Sequence, residues 1–248
     1  MLEKKLQELL ISDVSEKYQD IITQVRQSKI NWAESDELAR RLKLKGATDE
    51  DVVQVKNWLI ENTSNAKTFI LSPDKFKEVI NVLHELTGEE NIKEASAFHV
   101  PGGRADIPEY VKSSVVIKEN LVPPPLPGQE TTLTDRININ ELHHEFGHVA
   151  QDGLLDSELY QDWKPVFKEG APDREYVGLI NETDTRIRSM YRDLGEAFDP
   201  QKEVFGKKHL EVLRDRLAKG QVNEDTKDLF EHYDDIAIIK MANRMPAI

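Results

Sequence analysis

Hydrophobic positions recur at steps of three and four through most of the first ninety residues. Leu2, Leu6, Leu9, Leu10, Val14, Tyr18, Ile21, Ile22 and Val25 form one such stripe, the spacing that lines up one face of an amphipathic helix. Thr48 stands before Asp49-Glu50-Asp51, with Val52, Val53, Val55, Trp58 and Leu59 behind them. A hydroxyl ahead of an acidic first turn predicts a helix start near residue 48. Ser72-Pro73-Asp74 predicts another, with Pro at the first helical position, running through Phe76, Val79, Ile80, Val82, Leu83 and Leu86 to a stop at Gly88. No group of reactive side chains falls in this stretch. Residues 1–95 are therefore expected to form a helical N-terminal region that packs on, or lids, the remainder of the chain.

The texture changes near residue 96. Ala97-Phe98-His99-Val100 runs into Pro101-Gly102-Gly103, a turn. Ser113-Ser114-Val115-Val116-Ile117-Lys118 is short and β-branched, which predicts a strand, with an edge position open to it. Val122-Pro123-Pro124-Pro125-Leu126-Pro127-Gly128 excludes both helix and central strand and reads as a stiff, extended connector; a ligand for a proline-binding module or a flap over a cleft are the other readings. Helical periodicity returns at Thr134. One helix is expected from Asp173 through Val177, Ile180, Ile187, Met190, Tyr191 and Leu194 to Gly195, and another through His209, Leu210, Val212, Leu213 and Leu217 to Gly220. The last spans Leu229, Phe230, Ile236, Ile238, Ile239 and Met241. The pattern as a whole predicts an α+β, predominantly helical chain with a small sheet, divided into residues 1–95 and 96–248.

Composition narrows the chemistry. The 248 residues include no cysteine, which removes disulfides, thiolate zinc sites and a cysteine nucleophile together. The formal charge of −13 argues against nucleic-acid binding. Residues 1–95 carry 14 basic and 18 acidic groups and residues 96–248 carry 19 and 28, so neither part hides a basic face. No run of eighteen apolar residues predicts a membrane span, and the first residues do not make a signal-peptide core. A cytoplasmic protein is expected, with export lacking a cleaved signal as the alternative.

The stretch Glu141-Leu142-His143-His144-Glu145-Phe146-Gly147-His148-Val149-Ala150-Gln151 carries the candidate chemistry. Residues four apart on a helix share a face, so His144 and His148 are placed to converge on one ion. Neutral imidazole suits zinc. Glu145 sits about 100° round the helix from His144, badly placed to share the ion but able to reach a water beside it, as a general base must. Thr134-Asp135 and Gly153 are the expected start and stop of this helix, and His143 is read as lying outside the ion's immediate ligands. A catalytic zinc needs a third ligand. Glu182 and Asp184, in the middle of a later helical pattern, are candidates, along with Asp152, His99 and His232. Glu182 is also placed for an ion pair with Arg186, one turn on.

His144-Glu145-Phe146-Gly147-His148, together with Asn181-Glu182, resembles the gluzincin metallopeptidases, and in particular the small gluzincins of bacteria and phages. The likeness covers some forty residues. It implies a zincin-like domain, Zn2+ held by His144, His148 and Glu182, Glu145 as the general base, and a peptide or protein substrate. Arg186 occupies the position where thermolysin-type gluzincins carry an Asp, and Asp184 stands two residues early. Gln151 and Leu154 exclude the metzincin extension. Tyr191 is a candidate oxyanion donor or a core residue, and Val115–Ile117 a strand for pairing with substrate or a scaffold strand. Besides a peptidase, the sequence leaves open a zinc-stabilised interaction module without turnover, and a delivered effector protease with one narrow substrate.

Overall fold

The computed structural model describes residues 1–11, 15–88, 95–120, 132–152, 154, 167–168 and 179–247. Its helices are α1 (Leu2–Ile11), α2 (Gln19–Glu34), α3 (Asp36–Leu44), α4 (Asp49–Asn65), α5 (Pro73–Thr87), α6 (Ile139–Gln151), α7 (Ile180–Leu194), α8 (Lys207–Ala218), α9 (Glu224–His232) and α10 (Asp235–Arg244). The strands are β1 (Lys67–Leu71), β2 (Ala97–Val100) and β3 (Ser114–Lys118). The described chain is thus predominantly helical with a small mixed sheet, an α+β arrangement. It forms two compact units: Met1–Lys29 with Glu61–Asp152, and Ile30–Ile60 with Gly153–Ile248. The change of texture at residue 96 falls inside the first.

In the first unit the sheet order is β1-β3-β2, with β1 parallel and β2 antiparallel to β3. β3 is central, not an edge, which corrects the expectation drawn from its sequence. Its residues Ser114 to Ile117 are all buried, because helices cover both faces. On one face Val116 meets Leu71, Val100 and the apolar side chains of α1 and α5, Leu6, Leu10, Phe76, Val79 and Leu83 among them. On the other, Val115 and Ile117 meet Ile70, Tyr18, Ile22 and Val25, and the α6 residues Leu142, Phe146 and Val149. A strand buried on both faces loses the polar half of its alternation.

The long stripe from Leu2 to Val25 is broken into α1, a 3-10 turn at Ser15–Tyr18, and α2. The hydroxyl of Ser15 donates to the Thr68 carbonyl at 2.8 Å and accepts from the Ile70 N–H at 3.0 Å, which fixes the turn to β1. β1 itself lies inside the region expected to be all helix. The predicted starts at Thr48 and Ser72-Pro73 are where α4 and α5 begin, and Gly88 closes α5 with φ 73°. α6 is capped by Asn138, whose side chain accepts from the Asn140 and Glu141 N–H groups, and not by Thr134-Asp135, which lie in a separate 3-10 turn.

In the second unit, α3 starts at the cap Ser35, which accepts from the Leu38 N–H. Arg41, 1 % exposed, donates to the Ala242 and Met245 carbonyls at 2.7 and 2.8 Å and to Glu37 at 2.7 Å. It satisfies carbonyls at the end of α10 that have no partner within that helix. α7 ends at Gly195, φ 50°, as predicted. The expected last helix is two, because the Asp234 side chain accepts the Ala237 N–H and caps a new start. The proline run 122–128, Gly153, and Asp173 to Val177 lie outside the described residues. No described helix is long and apolar enough to cross a membrane.

Candidate metal centre

α6 presents His144 and His148 from a helix whose opposite flank is fixed in the core by Leu142, Phe146 and Val149. The two Nε2 atoms face each other at 3.0 Å, and the rings meet edge to face with centroids 4.7 Å apart. Two imidazole nitrogens so placed either share one proton or share a cation. Neighbouring ligands on a tetrahedral zinc with bonds of about 2.0–2.1 Å stand about 3.3 Å apart. The observed separation is within a few tenths of that, so the pair fits such an ion. His144 is buried and His148 half-buried. Glu145, half-buried, follows His144 in the same turn.

A third imidazole joins the pair from the sheet. His99 projects from the edge strand β2 and its ring lies nearly parallel to that of His148, centroids 6.4 Å apart. Burial, reinforced by the neighbouring His148, pushes the His99 imidazole down to about 3, so it is neutral over the physiological range. Its Nε2 is buried without a hydrogen-bond partner among the described residues, and Asp152 Oδ2 lies 3.9 Å away, beyond hydrogen-bond reach. That Asp152 oxygen instead accepts the Gly102 N–H at 2.6 Å, and the Asp152 carbonyl accepts from Asn62 at 2.9 Å. Asp152 therefore ties the turn after β2 to the end of α6. A Cβ at Gly102 would meet Ser113 Oγ at 2.6 Å and Asp152 Oδ2 at 3.1 Å, so a larger residue there would displace one of these side chains.

The carboxylate candidates of the second unit have distinct environments. Glu182, in the first turn of α7, is 5 % exposed, and its Oε2 accepts from Arg186 Nη1 at 2.8 Å. Arg186 is equally buried and also donates through Nε to Asp228 Oδ2 at 3.3 Å. The spacing anticipated the Glu182–Arg186 pair, but a solvated face is excluded by its burial. Asp184 is fully buried, and its Oδ1 accepts the Ala247 N–H at 2.6 Å, which anchors the C-terminal segment. His232, a candidate from the sequence, is buried on α9. His144 and His148 belong to the first unit and Glu182 to the second.

Tyr191 belongs to the core. Its hydroxyl donates to the Ala242 carbonyl and accepts from Arg41 Nη2 at 2.8 Å, and its ring packs on Phe198 at 5.0 Å. With both hydrogen-bonding roles committed, it has no donor left for a substrate oxyanion. Sequence reasoning passed over Asp228, although its place one turn before His232 in an apolar-faced helix is a signal of a shared face.

No family model, curated protein or solved structure matches the chain, and its own residues carry the functional reading.

Proposed function

We propose that the protein is a zinc-dependent peptidase of zincin type, with His144, His148 and Glu182 as the metal ligands and Glu145 as the general base. The observation that carries this is the pair of Nε2 atoms 3.0 Å apart on a helix fixed to the sheet. A bound zinc ion would supply Lewis acidity and lower the pKa of a coordinated water toward 7. Glu145, one residue from the first histidine, accepts the proton of the attacking water and passes it to the leaving amine. Glu182 brings the negative charge that two neutral imidazoles lack, and Arg186 donates to that buried carboxylate at 2.8 Å. Among the described residues β2 is paired on one side only. Its other edge suits an extended peptide added as a further strand, and it carries His99 toward the pair.

The test is Glu145→Gln. The variant is expected to bind zinc at the wild-type stoichiometry and to lose peptide-bond hydrolysis by about 10²–10⁴-fold. Unchanged turnover removes Glu145 from the mechanism. A second reading, a metal-stabilised interaction module without turnover, is favoured by one observation: the Tyr191 hydroxyl is committed to Arg41 and Ala242, which leaves the oxyanion donor unassigned. Stoichiometric metal with no cleavage of a broad peptide library selects that reading.

A further inference from the structure

We infer that α9 carries a second metal site, made by Asp228, Glu231 and His232 and independent of the histidine pair on α6. Residues at i, i+3 and i+4 share a helix face. Here one ligand atom from each of the three lies within 4.8 Å of the other two. A cluster of this kind is common on acidic helices, and a separate observation singles this one out. His232 is 3 % exposed, and its Nδ1 is 2.7 Å from the Asp228 carbonyl oxygen. A carbonyl only accepts, so Nδ1 carries the proton and Nε2 carries the lone pair. That Nε2 is buried and has no hydrogen-bond partner among the described residues. A buried acceptor without a partner is destabilising, and such atoms are rare enough to need an explanation. A backbone carbonyl fixing the tautomer through Nδ1, with Nε2 left for an ion, is the usual arrangement of a metal-binding histidine.

The carboxylates suit the same purpose. Asp228 is half-buried, and burial pushes its carboxyl up despite Arg186. Arg186 engages one of its oxygens, Oδ2, at 3.3 Å. A further positive charge beside Asp228 would offset what burial costs its ionised form. Glu231 is exposed, which gives an ion a path from solvent and leaves coordination positions to water. One imidazole with two carboxylates selects a borderline divalent transition metal, of the zinc, cobalt or iron class, over calcium or magnesium.

Metal stoichiometry of the full-length protein tests this, by equilibrium dialysis against Zn2+ with elemental analysis. The wild type is expected to bind two ions per chain. Glu231→Gln, at an exposed position that leaves the core intact, should weaken one of them at least tenfold, and His232→Ala should abolish it. The His144→Ala/His148→Ala variant should lose the other. A single ion that disappears with His144→Ala/His148→Ala overturns the α9 site. So does a second ion indifferent to Glu231→Gln. A single ion that survives His144→Ala/His148→Ala but is lost in Glu231→Gln supports the α9 site and instead sinks the peptidase reading, so the two failures are distinguishable.

Discussion

Arg186 is the strongest test of how the second unit holds its carboxylates. Its guanidinium spans Glu182, at 2.8 Å, and Asp228, at 3.3 Å, and the Arg186 and Glu182 side chains are only 5 % and 6 % exposed. At an effective dielectric of 20, a unit pair about 4 Å apart interacts by about 4 kcal/mol, and two carboxylates lean on this one cation. Arg186→Met keeps most of the side-chain volume and removes the charge. Removing one partner of a buried pair costs about 3–5 kcal/mol, because the other charge is left uncompensated. The loss should appear as a lower urea midpoint with an unchanged slope, measured with chelator present so that no ion stands in for the arginine.

The reasoning makes a second, sharper demand. If the penalty is the stranded Glu182 charge, then Glu182→Gln in the Arg186→Met background should restore about 1–3 kcal/mol, as coupling between residues in one network does. If the penalty is lost packing, the two substitutions will simply add. A loss below about 1 kcal/mol for Arg186→Met, or strict additivity in the double variant, refutes the claim that Arg186 compensates the buried Glu182 side chain.

Other outcomes rest on the same physics. Phe146→Ala should cost about 3–5 kcal/mol, since the ring is fully buried against Ile70, Val115 and Ile117; a loss under about 1 kcal/mol in urea unfolding would mean that α6 is not seated on the sheet. Tyr191→Phe should leave kcat unchanged and lower stability by about 1–3 kcal/mol, as Arg41 Nη2 loses its acceptor and the Ala242 carbonyl keeps only Arg41 Nη1; a selective fall in kcat contradicts its place in the core. Glu37 gives a pH signature. Burial pushes its carboxyl up, but hydrogen bonds and charge from Arg40 and Arg41 outweigh that and hold it below the usual 4.5. A carboxyl depressed in the folded state contributes stability above its unfolded pKa, and that contribution is lost as pH falls through the folded value. The stability gap between wild type and Glu37→Gln should therefore be constant from pH 7 to 5 and narrow only below about 4.5; a gap that narrows between pH 7 and 5 contradicts this assignment.

What can be read from the chain is what is local. The His144–His148 pair depends only on one helical turn, and the helix starts at Thr48 and at Ser72-Pro73 depend on a few residues each. What escapes depends on distant partners. β1 is five residues, Lys67-Thr68-Phe69-Ile70-Leu71, too short to show a period and flanked by helices on both sides. The polar residues that bracket β3 leave an edge position open to it in the sequence. Its unbroken buried run from Ser114 to Ile117 instead marks a strand covered on both faces. His232 reads as solvated because acids surround it in sequence, yet Leu229 and Tyr233 turn the same stretch inward.

Glu182 shows why a candidate third ligand is the hardest residue to find. The spacing to Arg186 is equally good for a surface ion pair and for a ligand with an arginine behind it, and nothing local separates the two. Burial does. An exposed i,i+4 pair contributes a few tenths of a kcal/mol and leaves both side chains in water, whereas here both are almost fully enclosed. Desolvating two charges is expensive, and the pair alone rarely compensates. The proposed ligand role supplies such a carboxylate with a divalent cation in addition to the guanidinium, which would offset part of the cost of burying its charge.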